Sequence, residues 1–177
     1  RPESLVGLAL AHESLSNCLH AMSRWGDAIA EQRAAAAIWD RRVAATPGSQ
    51  SLQRARSRSY QELASLYDSR GEYHAAVAAA EKSRPFLEAD YAAHPDDESA
   101  RTQLRNAVSR LRVEYSRAGD HPQAIAAAQQ IIRMAADTGV ISRSTANRDL
   151  AQTLIQAGRR EEGLVALRHD EDLPLAL

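Results

Sequence analysis

A single cysteine, Cys18, a single lysine, Lys82, and an aromatic content of only 5% set the limits of this 177-residue chain. One cysteine excludes an intramolecular disulfide, and a thiol inside an apolar helical pattern reads as a small core residue. The near absence of lysine among 22 basic residues, joined to abundant alanine, points to a GC-rich bacterial genome as the source. No apolar run approaches the ~20 residues that span a bilayer, and no basic segment followed by an apolar stretch opens the chain. The sequence therefore predicts a cytoplasmic protein with no membrane partner. A formal net charge of -1, without interleaved aromatics, argues against nucleic acid as a partner. The first residues, Arg1-Pro2-Glu3, lack a methionine, so the chain is expected to be a piece of a longer protein.

Signals for chemistry are equally sparse. His12 and His20 are eight residues apart with Glu13 and Asn17 between them, but neither HExxH nor a paired HxxxH spacing occurs, so no metal is expected. His169-Asp170-Glu171-Asp172 reads as a solvated acidic tail. There is no glycine-rich phosphate loop and no strand-turn-helix context that would sharpen a nucleophile. The expectation is a non-enzymatic protein without cofactors.

What the chain does contain is repetition. Leu15, Leu63 and Leu111 stand 48 residues apart, as do Ala28, Ala76 and Ala124. Ile29, Val77 and Ile125, then Gly71 and Gly119, Tyr67 and Tyr115, and Pro47 and Pro95 hold the same register. A degenerate fourth copy follows at a step of 39, with Leu150, Leu154, Gly158, Gly163 and Leu164 at equivalent places. A period of this size identifies a solenoid. Leu5, Leu8, Ala11, Leu15, Cys18, Leu19 and Met22 recur at three and four, the period of an amphipathic helix over about 4–22. A second helix carries Ala28 to Val43 and stops at Thr46-Pro47-Gly48. The same reading places helices at about 51–69, 73–93, 98–117, 121–136, 144–157 and 160–168. Gly71, Gly119 and Gly158 mark left-handed helix ends. Asp120, and Asp96 or Asp97, are expected to cap the helices after them. Pro85, inside the fourth helix, predicts a kink, and Thr138-Gly139-Val140 a break that shortens the last step. The fold class is all-α: an α-solenoid of about four antiparallel hairpins in one domain over 1–177. The repeats span about 4–47, 51–95, 98–137 and 144–168, with a tail at 169–177.

The stretch from Tyr60 to Val77 carries Leu63, Ala64, Tyr67, Gly71, Tyr73 and Ala76 at places where it resembles the tetratricopeptide repeat (TPR), in a long-helix bacterial type near the kinesin light chain. The first and third copies match through Leu15, Ser16, Leu19, Trp25 and Ala28, and through Leu111, Tyr115, Gly119 and Ala124. The resemblance implies a right-handed superhelix whose groove is lined by the first helix of each hairpin and receives partners. Small residues such as Ala64, Ala76 and Ala80 let paired helices approach while Leu63, Tyr67 and Tyr73 fill the space between them.

Carried onto this chain, the implied groove is lined by Glu13, Asn17 and His20, then Arg58, Gln61, Ser65 and Asp68. The later copies add Asn106, Ser109, Val113 and Ser116, then Arg148, Gln152 and Ile155. This polar, mixed-charge lining suits an extended peptide held by hydrogen bonds and a few charge pairs. Members that clamp a peptide carboxylate place Lys, Arg and Asn in the groove; Asn17 matches, while Glu13 stands where a cation belongs. Arg112 takes the place of Ser16, Ala64 and Ala151, so it either snorkels out or pairs with a buried acid. Arg101, Arg105 and Arg112 fall on one helix face, read as solvated with local salt bridges.

The leading expectation is a protein-protein interaction module that binds a peptide or partner domain. The alternative is a sensor or regulatory region of a larger bacterial enzyme or transcription regulator, switched by a peptide or small ligand. A third reading is self-association through the apolar C-terminal end, Leu173 to Leu177.

Overall fold

The computed structural model describes residues 2–135 and 140–171, and among these it contains eight helices and no strand. They are α1 (Pro2–Ala21), α2 (Trp25–Ala45), α3 (Gln50–Arg70), α4 (Tyr73–Ala93), α5 (Glu98–Ala118), α6 (His121–Ala135), α7 (Val140–Gln156) and α8 (Arg160–Glu171). The architecture is an all-α solenoid of antiparallel hairpins. The chain forms two compact units, Arg1–His94 with α1 to α4 and Pro95–Leu177 with α5 to α8. In each unit, consecutive helices pack on one another.

Each hairpin turns in the same way. In the first two turns, Arg24 N–H donates to the Leu19 carbonyl and Glu72 N–H to that of Tyr67, both at 2.9 Å. In the last two, Asp120 N–H donates to the Tyr115 carbonyl and Arg159 N–H to that of Leu154, both at 2.8 Å. These bonds satisfy a carbonyl that the helix end would leave unpaired, and they require a left-handed residue at the turn. Gly71, Gly119 and Gly158 supply it at φ 81°, 81° and 78°. In the first hairpin Ser23 occupies that conformation, at φ 58°. Helix starts follow the expected chemistry as well. Asp97 accepts from Ser99 N–H at 2.8 Å, Asp120 from Gln123 N–H at 3.3 Å, and Ser49 from Leu52 N–H at 3.4 Å. Helix α4 is continuous through Pro85. Helix α7 begins at Val140, four residues earlier than the sequence reading, because no glycine or proline between Val140 and Ser144 resists the helix. Thr138 and Gly139 lie outside the described residues.

The first unit closes its core with alanines at the helix crossings and a few buried polar ties. Ala28, Ala64 and Ala76 have no solvent exposure. Leu63, Leu66, Ile38, Trp39 and Leu87 fill the space around them, each large apolar side chain contributing about 1.5–3 kcal/mol on burial. Ser16 Oγ donates to the Ala28 carbonyl at 2.9 Å and joins α1 to α2. Gln32 Nε2 donates to both the carbonyl and the Oγ of Ser59 at 3.0 Å, joining α2 to α3. Ser57 Oγ donates to the Ser83 carbonyl at 3.2 Å, joining α3 to α4. Such buried donors are retained because leaving one unpaired costs about 1–3 kcal/mol.

In the second unit Ala124, Ala128 and Ala151 take the crossings, and Leu104, Val108, Leu111, Ile131 and Leu154 are buried. Here the polar tie is ionic. Arg112 Nη1 donates to Thr153 Oγ1 at 3.2 Å and its Nη2 lies 3.5 Å from Asp149 Oδ2, joining α5 to α7. Arg112 therefore pairs rather than snorkels, with a carboxylate that keeps partial access to water.

One expectation fails. Cys18 is exposed, not part of the core, and so are Leu8, Leu15 and Met22. Helix α1 buries the stripe of Ala9, Ser16 and Leu19 against its partner instead, and the apolar row of Leu8, Ala11, Leu15, Cys18 and Met22 faces outward.

The turn geometry generates a paired prediction. Ser23→Gly removes the cost of a left-handed side chain and is expected to stabilise the protein by about 0.5–1 kcal/mol, while Gly71→Ala imposes it and is expected to destabilise by about 1–2 kcal/mol. Urea unfolding followed by circular dichroism measures both.

Candidate functional site

Helix α3 carries two side-chain rows at different azimuths. Arg58, Gln61, Ser65 and Asp68 lie along one, Tyr60, Leu63 and Tyr67 along the other, as the 3.6-residue period requires. The first row meets α1 at one point: Arg58 Nη2 lies 4.0 Å from Glu13 Oε2. Glu13 is also held from below, since its Oε1 accepts from Trp39 Nε1 at 2.8 Å. Glu13 is thus held by two partners. Asn17 and Arg58 are exposed on this face, whereas Glu13, Gln61, Ser65 and Asp68 are half-buried. His20 packs against the Trp25 ring at 4.7 Å, which turns it toward the hairpin corner.

In the second unit the corresponding row is Asn106, Ser109, Val113 and Ser116 on α5 with Arg148, Gln152 and Ile155 on α7. The Arg112 tie to Thr153 and Asp149 holds these two helices side by side. Asn106, Arg148, Gln152 and Ile155 are exposed, and Ser109, Val113 and Ser116 are half-buried. Arg148 Nη2 donates to Ser144 Oγ at 3.1 Å. The basic row read from Arg101, Arg105 and Arg112 is not a surface row: Arg112 is buried, and Arg101 is engaged by Glu98 at 3.3 Å and by the Pro95 carbonyl at 3.2 Å.

Sequence reading missed a second feature of the same register. A cleft of about 430 Å³ opens between α2 and α4, floored by Tyr60, Leu63 and Tyr67, walled by Ala36, Ala37, Ala75, Ala78 and Ala79, and edged by Arg33, Asp40 and Lys82. In the second unit a cleft of about 460 Å³ occupies the equivalent place, with Asn147, Leu150 and Leu154 of α7 as its floor. Alanine walls leave the first open, and its signal in the sequence was the spacing of Tyr60, Leu63 and Tyr67 opposite alanines on both neighbouring second helices; the second is walled by Gln129, Arg159, Glu161, Glu162 and Val165. The first cleft carries a half-buried polar cluster at one end, centred on the buried Tyr60. Tyr60 OH donates to Asp40 Oδ2 at 2.6 Å, Arg56 Nε donates to Asp40 Oδ1 at 2.6 Å, and Lys82 Nζ donates to Tyr60 Oη at 3.4 Å. The cations of Arg56 and Lys82 also sit 5.4 and 5.0 Å from the Tyr60 ring centroid. Burial, then the hydrogen bond and charge of Asp40, push the Tyr60 phenol up to about 12 against the weaker pull of Arg56.

Among the described residues, no group of three or more His, Cys, Asp or Glu converges on a point that could hold a metal ion. No helix among them is long and apolar enough to cross a membrane.

The hairpin geometry is that of TPR-like repeat proteins. Among solved structures, the chain is similar to a Podosopora anserina kinesin light chain protein with nearly identical TPR-like repeats. The TM-score is 0.71 at 19% identity, over 92% of this chain and 73% of that one. It is also similar to BtubC (BKLC) from P. vanneervenii, with a TM-score of 0.64 at 12% identity, covering 97% of this chain and 63% of the other. No family model matches the sequence, and no curated protein matches it. The likeness establishes the fold, that of kinesin-light-chain-like TPR proteins.

The Tyr60 cluster makes a pH-dependent prediction. Its folded-state value lies above the ordinary 10.0, so the stabilisation it provides is complete below about pH 10 and is lost as pH rises through about 12. A tyrosinate absorbance titration is expected to show a late component near pH 12 that is lost in Tyr60→Phe; a titration curve unchanged at high pH by that substitution would contradict the assignment.

Proposed function

We propose that this chain is a non-catalytic, cytoplasmic protein-interaction module that binds an extended peptide segment along the first-helix face of its hairpins. The observation that carries the reading is the approach of Arg58 to Glu13 at 4.0 Å, where the polar rows of α1 and α3 meet. Backbone amides of an extended segment need donors and acceptors at regular intervals, and Asn17, Gln61, Asn106 and Gln152 offer both from a single side chain. Arg58 and Arg148 supply exposed cations for partner carboxylates, and Val113 and Ile155 small apolar contacts between them. The fixed anion at Glu13 directs the choice of ligand toward internal segments and away from a free C-terminal carboxylate. The kinesin-light-chain-like TPR fold supports a binding role, since arrays of this kind present extended surfaces suited to macromolecular partners.

An array of acidic and neutral peptides screened by fluorescence anisotropy tests the reading. Binders are expected to be internal segments bearing carboxylates, with affinity falling at least tenfold in Arg58→Glu with Arg148→Glu while thermal stability is unchanged. Equal affinity in that variant, or binders that depend on a free C-terminus, would refute the assignment of the face.

A further inference from the structure

The cleft between α2 and α4 carries a cation at each end and is apolar between them. At one end Asp40 and Lys82 meet at Tyr60, through hydrogen bonds of 2.6 and 3.4 Å. Helices α2 and α3 run antiparallel there, since Gln32 reaches Ser59 while Asp40, further along α2, reaches back to Arg56. Arg33, which also lines the cleft, therefore stands at the other end, beside Tyr67. Arg33 to Asp40 and Tyr60 to Tyr67 are each two helical turns, about 10 Å at about 1.5 Å per residue.

The charged groups differ in what they have left to offer. Both oxygens of Asp40 are taken, Oδ2 by Tyr60 and Oδ1 by Arg56, and Arg56 balances its charge. Lys82 gives one N–H to Tyr60 and is held over that ring at 5.0 Å, which leaves two N–H groups for a ligand. Arg33 is exposed and makes no side-chain hydrogen bond or ion pair among the described residues. Between these ends, Leu63 and the alanine walls present carbon alone, and the backbone groups of the helices are committed to their own ladders. A peptide backbone laid along this stretch would leave its hydrogen bonds unmade; an alkyl chain loses nothing there. The second cleft lacks the pattern, because the cation that lines it, Arg159, is bound by Glu162 at 2.7 Å with Glu161 beside it.

We infer that the first cleft is a binding site for an elongated small molecule with an apolar middle and a carboxylate at each end, a long-chain α,ω-dicarboxylate. One carboxylate pairs with the Lys82 ammonium. The other pairs with Arg33, whose planar guanidinium matches both oxygens. The alkyl chain between them lies on Leu63 and displaces water from the alanine walls. A cleft of about 430 Å³ has the size of a small-molecule site. This goes beyond the peptide-binding reading and uses the other side-chain row of α3.

Isothermal titration calorimetry of the full chain with sebacate, its monomethyl ester and succinate tests this. Sebacate is expected to bind as a single-site ligand, and the ester, which keeps the length but loses one charge, about tenfold or more weakly. Succinate, too short to reach both cations, is expected not to bind. Lys82→Met and Arg33→Met keep the side-chain stem without the charge, and each is expected to abolish the difference between sebacate and its ester. Ala78→Leu fills the cleft from its exposed wall and is expected to abolish binding. Far-ultraviolet circular dichroism confirms that each variant keeps its helix content. No sebacate binding up to millimolar concentration overturns the inference, as do equal affinities for sebacate and its ester in the unmodified chain, or sebacate binding that survives Ala78→Leu.

Discussion

The close crossing of the two helices in each hairpin sets everything else in this structure. Ala28, Ala76 and Ala124 stand at the crossing in three hairpins with no solvent exposure, and the fourth places Gly163 there. A methyl group on Gly163 would sit 2.8 Å from Ile155 Cγ1 and 2.9 Å from the Ala151 carbonyl, so α7 and α8 approach too closely even for alanine. A small residue at this one place fixes the interhelical distance. That distance brings the polar row of the first helix to one face and leaves a cleft on the other, walled by alanines in the first unit. Because the constraint recurs at the same register, both units carry the same pair of surfaces, with different side chains displayed on each.

Between hairpins, the chain uses polar ties where an apolar contact would suffice, and the ties differ. Gln32 with Ser59 is a neutral pair of bonds to a carbonyl and a hydroxyl. Arg112 with Thr153 and Asp149 carries charge, and its partner carboxylate keeps access to water, which limits the desolvation penalty that a fully buried pair incurs. Each tie fits only one neighbour. A hairpin bearing Gln32 needs an acceptor at Ser59, and one bearing Arg112 needs an acid and a hydroxyl on the following first helix.

Much of this was legible in the residues. The 48-residue step, the left-handed glycines and the caps at Asp97 and Asp120 are local signals, and local chemistry decides them. The orientation of α1 was not legible. Its apolar residues form two stripes, Leu5-Ala9-Leu19 and Leu8-Leu15-Met22, and periodicity alone cannot say which of them a neighbour covers. The Tyr60 cluster was hidden for a related reason: Asp40, Arg56, Tyr60 and Lys82 come from three helices, and only packing brings them within reach. Arg112 showed as an anomaly in the repeat, but its acid, Asp149, lies 37 residues further on, with nothing in the sequence to mark the pair.

The central claim is that a small residue at the crossing, and not alanine content as such, sets the hairpin. Comparing Ala76→Leu with Ala78→Leu by urea unfolding tests it within one helix, since Ala76 is fully buried and Ala78 is exposed two residues away. The account predicts a loss of about 2–3 kcal/mol for Ala76→Leu through overpacking and a change within about 0.5 kcal/mol for Ala78→Leu. Equal effects at the two positions would contradict it.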